Sequence, residues 1–257
     1  LLTATVVRLA VRNGQWPALA LAACAGALSH VTLDLIAGAD IRPFWPLAER
    51  VVSWPLFAMA DPWLFGLFVA ALPLLWRARR PRVAAAVLAA FVAMSGAKAA
   101  LFARASRADA RAAGAATITR ADAGFGSWRD WTFFHVIDDR VDRWHVDAVA
   151  ATARRVFAID RGLDAPRIAA SRSLPTVAHL IAAHGITFAR VSPRADGGYD
   201  VLWSDLRYCG ATLEGSAPVC GLWFGGEYDA RGRAIDAVVR LGSFAQRRSA
   251  GTSSGDQ

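Results

Sequence analysis

Residues 27–62 read ALSHVTLDLIAGADIRPFWPLAERVVSWPLFAMADP. His30 and Asp34 stand inside an apolar run, a Pro/Trp-rich stretch follows, and Asp61 opens a second apolar run. Ionisable groups are costly within a bilayer, and where they occur they mark function or a specific partner. The remainder of the chain is legible as what holds this stretch in a membrane and what hangs from it.

The chain has 257 residues, 55% of them hydrophobic, and a mean hydropathy of +0.31. Soluble domains sit near 45–50% apolar. The excess is concentrated before residue 103, where Ala, Leu and Trp dominate, and the rest has the make-up of a soluble domain. The net charge is +8 and is carried almost wholly by arginine, since Lys98 is the only lysine. A nucleic-acid reader needs a basic face on a recognisable motif. Here the arginines border the apolar runs or are scattered, so no nucleic-acid partner is expected.

Three spans are expected. Residues 16–36 match the roughly 20 residues that a bilayer requires, with Trp16 suited to an interface and Pro17 to a first helical turn. Gly38, Pro43 and Pro46 end that helix, and residues 37–50 read as an interfacial or re-entrant loop. Asp61-Pro62 is a helix start, a capping acid followed by proline. It begins a span over 62–76 that could enter the membrane as early as Val52. The third span covers 83–103, with Lys98 placed to snorkel near its end.

The cluster at 77–82, RARRPR, sets orientation, because positive residues in short loops stay cytoplasmic. It places Arg8 and Arg12 inside, loop 37–61 outside, and the chain after the third span outside; Arg104, Arg107 and Arg111 pull weakly the other way. Residue 1 is leucine, and residues 1–12 resemble the end of a helix leaving the membrane.

The fold class expected is therefore α+β: about three N-terminal transmembrane helices, then a β-rich soluble domain with a short helix. The boundaries are 1–103 for the transmembrane part, 104–127 for a linker, 128–245 for the β-rich domain and 246–257 for a disordered tail. Strands are expected at 131–138 and 141–149, joined at Asp139-Arg140, and at 199–208, 219–228 and 235–244, the last two a hairpin through Asp229–Gly232. A short helix is expected at 175–184.

His30 and Asp34 are four residues apart and share a helix face. An imidazole and a carboxylate on one face suit a metal; the plainer reading is a histidine hydrogen-bonded to its own helix neighbour. Asp61 is either a plain N-cap or a third ligand. Asp40, Arg42, Glu49 and Arg50 lie in the loop between, with Asp40 and Arg42 as a possible site rim. His135 and His145 are placed to face each other across the first hairpin, as a structural pair or a metal site. His179 and His184 read as surface. Asp205 and Arg207 suit an ion pair or a pocket edge. Cys209 and Cys220 flank a Gly/Ser/Pro-containing loop and are either a disulfide across a hairpin mouth or two free thiols. Cys24 lies in the first span. There is no phosphate loop, Gly-x-Ser-x-Gly elbow or Cys-x-x-Cys, so serine and nucleotide chemistry have no support.

His30-x-x-x-Asp34, then Gly38, Phe44-Trp45-Pro46-Leu47 and Asp61-Pro62, resembles the YdjM-like family of bacterial membrane-bound metal-dependent hydrolases. Trp203-Ser204-Asp205-Leu206-Arg207-Tyr208 and Val238-Val239-Arg240-Leu241-Gly242 resemble the C-terminal extension of some members. The resemblance implies a metal-dependent hydrolase of the bacterial inner membrane, multi-pass, with a divalent metal, zinc first, on His30, Asp34 and Asp61. It also implies a further segment of the His-Arg-Gly-x-Thr-His-Ser kind, supplying more ligands; no such segment occurs among these residues. The partners expected are the lipid bilayer and a small membrane-accessible substrate. The alternative is a degenerate relative, a non-catalytic membrane-anchored β-domain that binds a partner or ligand.

Overall fold

The computed structural model describes residues 16–44, 46–48, 50–78, 81–114, 118–183, 186–210 and 219–241. Expectations for residues 1–15, Trp45, Glu49, Arg79, Arg80, His184, the 211–218 loop and the tail beyond 241 lie outside them. Two compact units emerge: Leu1–Arg104 with Asp122–Trp131, and Ala105–Ala121 with Thr132–Gln257.

The first unit is built on helices α1 (Trp16–Ile36), α2 (Pro62–Ala78) and the larger part of α3 (Pro81–Ala113). In α1 the polar side chains satisfy themselves within the helix. Ser29 Oγ donates to the Gly26 carbonyl and Thr32 Oγ1 to the Leu28 carbonyl, both at 2.8 Å. Such back-bonding lets a hydroxyl sit in an apolar segment.

Two of these helices, Pro17–Ile36 and Pro81–Ala113, are long and apolar enough to cross a membrane. The span expected over 62–76 is a shorter apolar helix of 17 residues that contains Pro73. It gains no length from residues 52–60, because these are tied into the loop. Ala37 bridges Pro55 and Ile41 bridges Val52 in antiparallel fashion, and Trp54 N and Leu56 N donate to the carbonyls of Leu35 and Ile36.

Gly38 permits this return of the chain. Its φ of +75° is left-handed, and a Cβ there would lie 3.1 Å from that of Pro55, so glycine is favoured twice over. Ile36, Leu56 and Phe57 form a small buried cluster, with Leu33, Leu64, Phe91, Met94 and Phe102 packed against it.

α3 has 33 residues, about 50 Å at 1.5 Å per residue, against a hydrocarbon core of about 30 Å. Residues 104–127, expected as a linker, thus hold the last turns of α3 and then strand β1 (Ile118–Ala123).

The second unit is β-rich. One sheet has the order β1-β2-β3-β4, with β2 at Asp130–Ile137, β3 at Arg140–Asp147 and β4 at Thr152–Asp160. The hairpin between β2 and β3 turns at Asp138–Asp139, one residue earlier than expected, with Asp138 at φ +53°; aspartate is among the few residues that accept this region.

Short helices α4 (Pro166–Ser171) and α5 (Pro175–Ala183) follow, then β5 (Thr187–Pro193) and β6 (Tyr199–Asp205). A 3-10 turn (Leu206–Tyr208), the paired strands β7 (Cys209–Gly210) and β8 (Val219–Cys220), β9 (Leu222–Tyr228) and β10 (Ala234–Leu241) complete it. The second sheet runs β10-β9-β6-β5.

β6 is buried along its whole length, as a central strand covered on both faces must be. Phe134, Val141 and Phe157 from the first sheet share a core with Phe188, Leu202 and Trp223 from the second. Ile168, Val177 and Leu180 of the short helices pack with Val201, Trp203 and Tyr228. Val146 of β3 and Ala148 just beyond it are buried, and Trp144 is half-buried.

Candidate functional site

One helical turn separates His30 from Asp34, and the imidazole Nε2 lies 3.5 Å from Asp34 Oδ2. The His30 side chain is 78% exposed and that of Asp34 42%. Asp61 stands at the start of the next helix. Its Oδ1 accepts from the backbone N–H groups of Trp63 (3.0 Å) and Leu64 (3.3 Å), which is an N-cap as the Asp61-Pro62 pair predicts. Asp61 is 3% exposed, and its second oxygen, Oδ2, is buried without a hydrogen-bond partner among the described residues.

Asp34 and Asp61 line one cavity of about 500 Å³. The rest of its wall is almost wholly apolar, including Leu33, Met59, Phe65 and Phe68. The two carboxylates come from separate helices, and the loop pinned through Gly38 and Pro55 brings the end of α1 to the start of α2. Asp40 and Arg42 are exposed on that loop and are not among the residues lining the cavity.

Lys98 holds the place opposite Asp61. It does not snorkel: the residue is fully buried. Its Nζ donates to the Ser127 carbonyl at 2.6 Å and lies 3.9 Å from Asp61 Oδ2. It also stands 5.2–5.5 Å from the ring centroids of Phe57, Trp128 and Trp131. Aromatic faces attract an ammonium most strongly where water is absent. The cage is itself braced, since Trp131 Nε1 donates to the Pro55 carbonyl and Trp63 Nε1 to the Gly126 carbonyl.

The donor chemistry suits a divalent cation: two carboxylates on one cavity, and an imidazole beside one of them. The unpartnered oxygen of Asp61 is the kind of atom such an ion would complete. Among the described residues, however, no group of three or more His, Cys, Asp or Glu side chains converges as a ready metal cluster.

Elsewhere the pairs resolve simply. Cys209 faces Cys220 across β7 and β8 and is joined to it in a disulfide, while Cys24 is free. Asp205 is buried and ends β6; its Oδ1 accepts from Arg207 N, and its Oδ2 from Arg207 Nε at 2.8 Å. The two are an ion pair in which Arg207 sits on the 3-10 turn rather than on the strand. His135 bonds Asp109 of α3. On the far sheet, Arg194 and Arg240 bind Glu227 and Asp200.

Sequence reasoning missed the partners of Lys98 and His135. A lone lysine within an apolar helix was itself a signal, because an intramembrane charge implies a named partner. Asp109, in an Ala/Arg-rich run, offered none.

A comparison with protein families matches residues 1–105 to the YdjM inner membrane protein family. No curated protein and no solved structure matches the chain. The matched region contains α1, α2, the intervening loop, and His30, Asp34, Asp61 and Lys98. Residues 1–105, which carry both carboxylates of the cavity, are thus similar to the YdjM inner membrane protein family.

Proposed function

We propose that this chain is a multi-pass inner-membrane hydrolase acting on a small, membrane-accessible ester or phosphoester, with His30, Asp34 and Asp61 holding a divalent cation, zinc first. The observation that carries the reading is the shared cavity: among the described residues that line it, Asp34 and Asp61 are the acidic side chains in a wall otherwise built from apolar residues. When bound, such a cation polarises a scissile bond and lowers the pKa of a coordinated water. The chain's own residues would do the rest. The Trp63 and Leu64 N–H groups hold Asp61 by one oxygen and leave the other unpartnered. His30 lies within reach of Asp34. The apolar wall favours an apolar substrate. On this reading the β-rich domain stands on the exterior side, in keeping with the arginines at 77–82 and with a disulfide in an oxidising compartment.

The test is metal content. Full-length protein purified in detergent should carry stoichiometric zinc, and His30→Ala, Asp34→Ala and Asp61→Asn should each lose it. Wild-type protein that binds neither zinc nor manganese would sink the reading.

A second reading has its own support. The ammonium of Lys98 stands 3.9 Å from Asp61, so the buried carboxylate already has a counter-charge. The membrane helices would then anchor a β-domain that binds a partner or ligand. Metal-free protein with an intact fold favours this version.

A further inference from the structure

The cavity shared by Asp34 and Asp61 lies at one end of the helices of the first unit. It is lined by the last turn of α1, by Ala39 and residues 58–60 of the loop, and by the first two turns of α2 down to Phe68. The step from Asp61 to Phe68 spans about 10 Å along a helix axis at 1.5 Å per residue. Trp54 on the loop and Trp63 in the first turn of α2 are exposed at the same end. Such tryptophans sit at the level of lipid headgroups. The cavity therefore runs from the headgroup layer into the outermost hydrocarbon.

Its wall is also part of the protein surface. Met59 is 77% and Phe65 71% exposed. Exposed apolar side chains continue from it along both helices, Leu28 and Val31 on α1, Val69 and Leu72 on α2. A continuous apolar surface of this kind marks a membrane contact or a ligand groove. Because α1 is long and apolar enough to cross a membrane, the medium against this surface is lipid. Small side chains make the room: Ala37, Ala39, Ala58 and Ala60 all line the cavity. Its volume of about 500 Å³ falls within the range of about 300–1,000 Å³ usual for small-ligand sites.

We infer that this cavity is an acyl-chain pocket, entered sideways from the bilayer, and that its ligand is a membrane lipid rather than an ester delivered through water. For its chemistry this rests on the hydrolase reading above, and it names the substrate class. Lipid tails are as apolar as the wall, so a chain gains no hydrophobic energy by entering. What holds it is close packing against Phe65 and Phe68. Its polar end lies beside Asp34, the half-exposed carboxylate of the wall, and not at Asp61, which is sealed.

The test uses full-length protein in vesicles of phosphatidylethanolamine and phosphatidylglycerol, doped with a phosphatidylethanolamine that carries a photoreactive diazirine midway along one acyl chain. After irradiation, peptide mass spectrometry maps the labelled residues. Labelling at 33–37 and 58–68 should exceed, several-fold, that at Leu21 and Leu74, which are exposed outside the cavity on the same two helices. Ala39→Phe and Ala58→Phe fill the cavity. Each should bring labelling there down to the level at Leu21 and Leu74, with melting temperature as the check on folding. If neither variant folds, the wild-type map decides by itself. Even labelling along both helices would overturn the inference, as would enrichment that the folded variants retain. Metal content of the same preparation bears on the hydrolase reading alone. Enrichment in metal-free protein upholds the acyl-chain pocket while that reading fails; bound metal with even labelling does the reverse.

Discussion

His135 Nε2 lies 3.0 Å from Asp109 Oδ1, with both side chains buried to within 1% of complete exclusion from solvent. Asp109 is on the last turns of α3 and His135 on β2, so the bond ties a helix end to a sheet within the second unit. The other ring nitrogen of His135 and the other oxygen of Asp109 have no hydrogen-bond partner among the described residues. His135 was expected to face His145. The strand instead presents it to the helix, where a carboxylate is buried and Trp144 packs edge-on against the imidazole.

Removing one member of this pair leaves a buried polar group alone. His135→Leu is expected to cost about 3 kcal/mol, the range for breaking a buried pair. Asp109→Leu with His135→Leu should cost less than the sum of the single changes. Thermal or denaturant unfolding of the four proteins measures the coupling, and additivity would remove the pair from any account of stability.

The disulfide makes a direct chemical prediction. The chain has three cysteines, of which only Cys24 is free. Maleimide labelling under denaturing conditions should add one label per chain before reduction and three after. Cys209→Ser with Cys220→Ser should destabilise the β-rich domain by about 3 kcal/mol, as expected for a bridge closing a short loop. Three labels without reductant would show the bridge absent.

At Gly225 the backbones of β6 and β9 approach too closely for a side chain. A Cβ there would lie 1.9 Å from the Val201 carbonyl oxygen. Gly225→Ala must therefore push the two strands apart, where Ala237→Gly on the neighbouring exposed strand need not. The expected loss is about 3 kcal/mol or more, at the upper end of overpacking. Limited proteolysis and melting temperature report it, and a wild-type profile for Gly225→Ala would contradict the register of β6 against β9.

The β-rich domain should weaken in acid. Glu227 is held below the ordinary carboxylate range, chiefly by its hydrogen bond from Arg194 and further by Arg240. Asp196 is lowered by the Gly198 N–H and Arg194, and Asp229 by the Arg233 N–H. A depressed native pKa means that the unfolded chain binds the proton more readily. The contribution is therefore full above the unfolded value, about 4.3 for glutamate, and is lost as pH falls through the lower native value. Melting temperature should decline as pH falls below about 4.3, and Glu227→Gln should flatten part of that decline. An unchanged slope in the variant would show that Glu227 does not contribute.

Local features of this chain were open to inspection in the sequence alone. Apolar runs long enough to cross a bilayer, the capping Asp61-Pro62, the four-residue step from His30 to Asp34 and the turn residues 229–232 are encoded by neighbours, and each appears as a local element. Strands β1, β4 and β5 were missed, β1 because 104–127 read as a linker. β4 is mostly exposed and carries no clean alternation, and β5 follows directly on a short helix.

What only the tertiary structure decided are relations across long stretches of chain. These include the meeting of Asp34 and Asp61 on one cavity, the cage that holds Lys98 off Asp61, and the burial of His135 against Asp109. Helical and strand periodicity report which face of an element is buried, but not which distant group it is buried against. For a charged or polar side chain within an apolar setting, that partner determines both its energy and its chemistry.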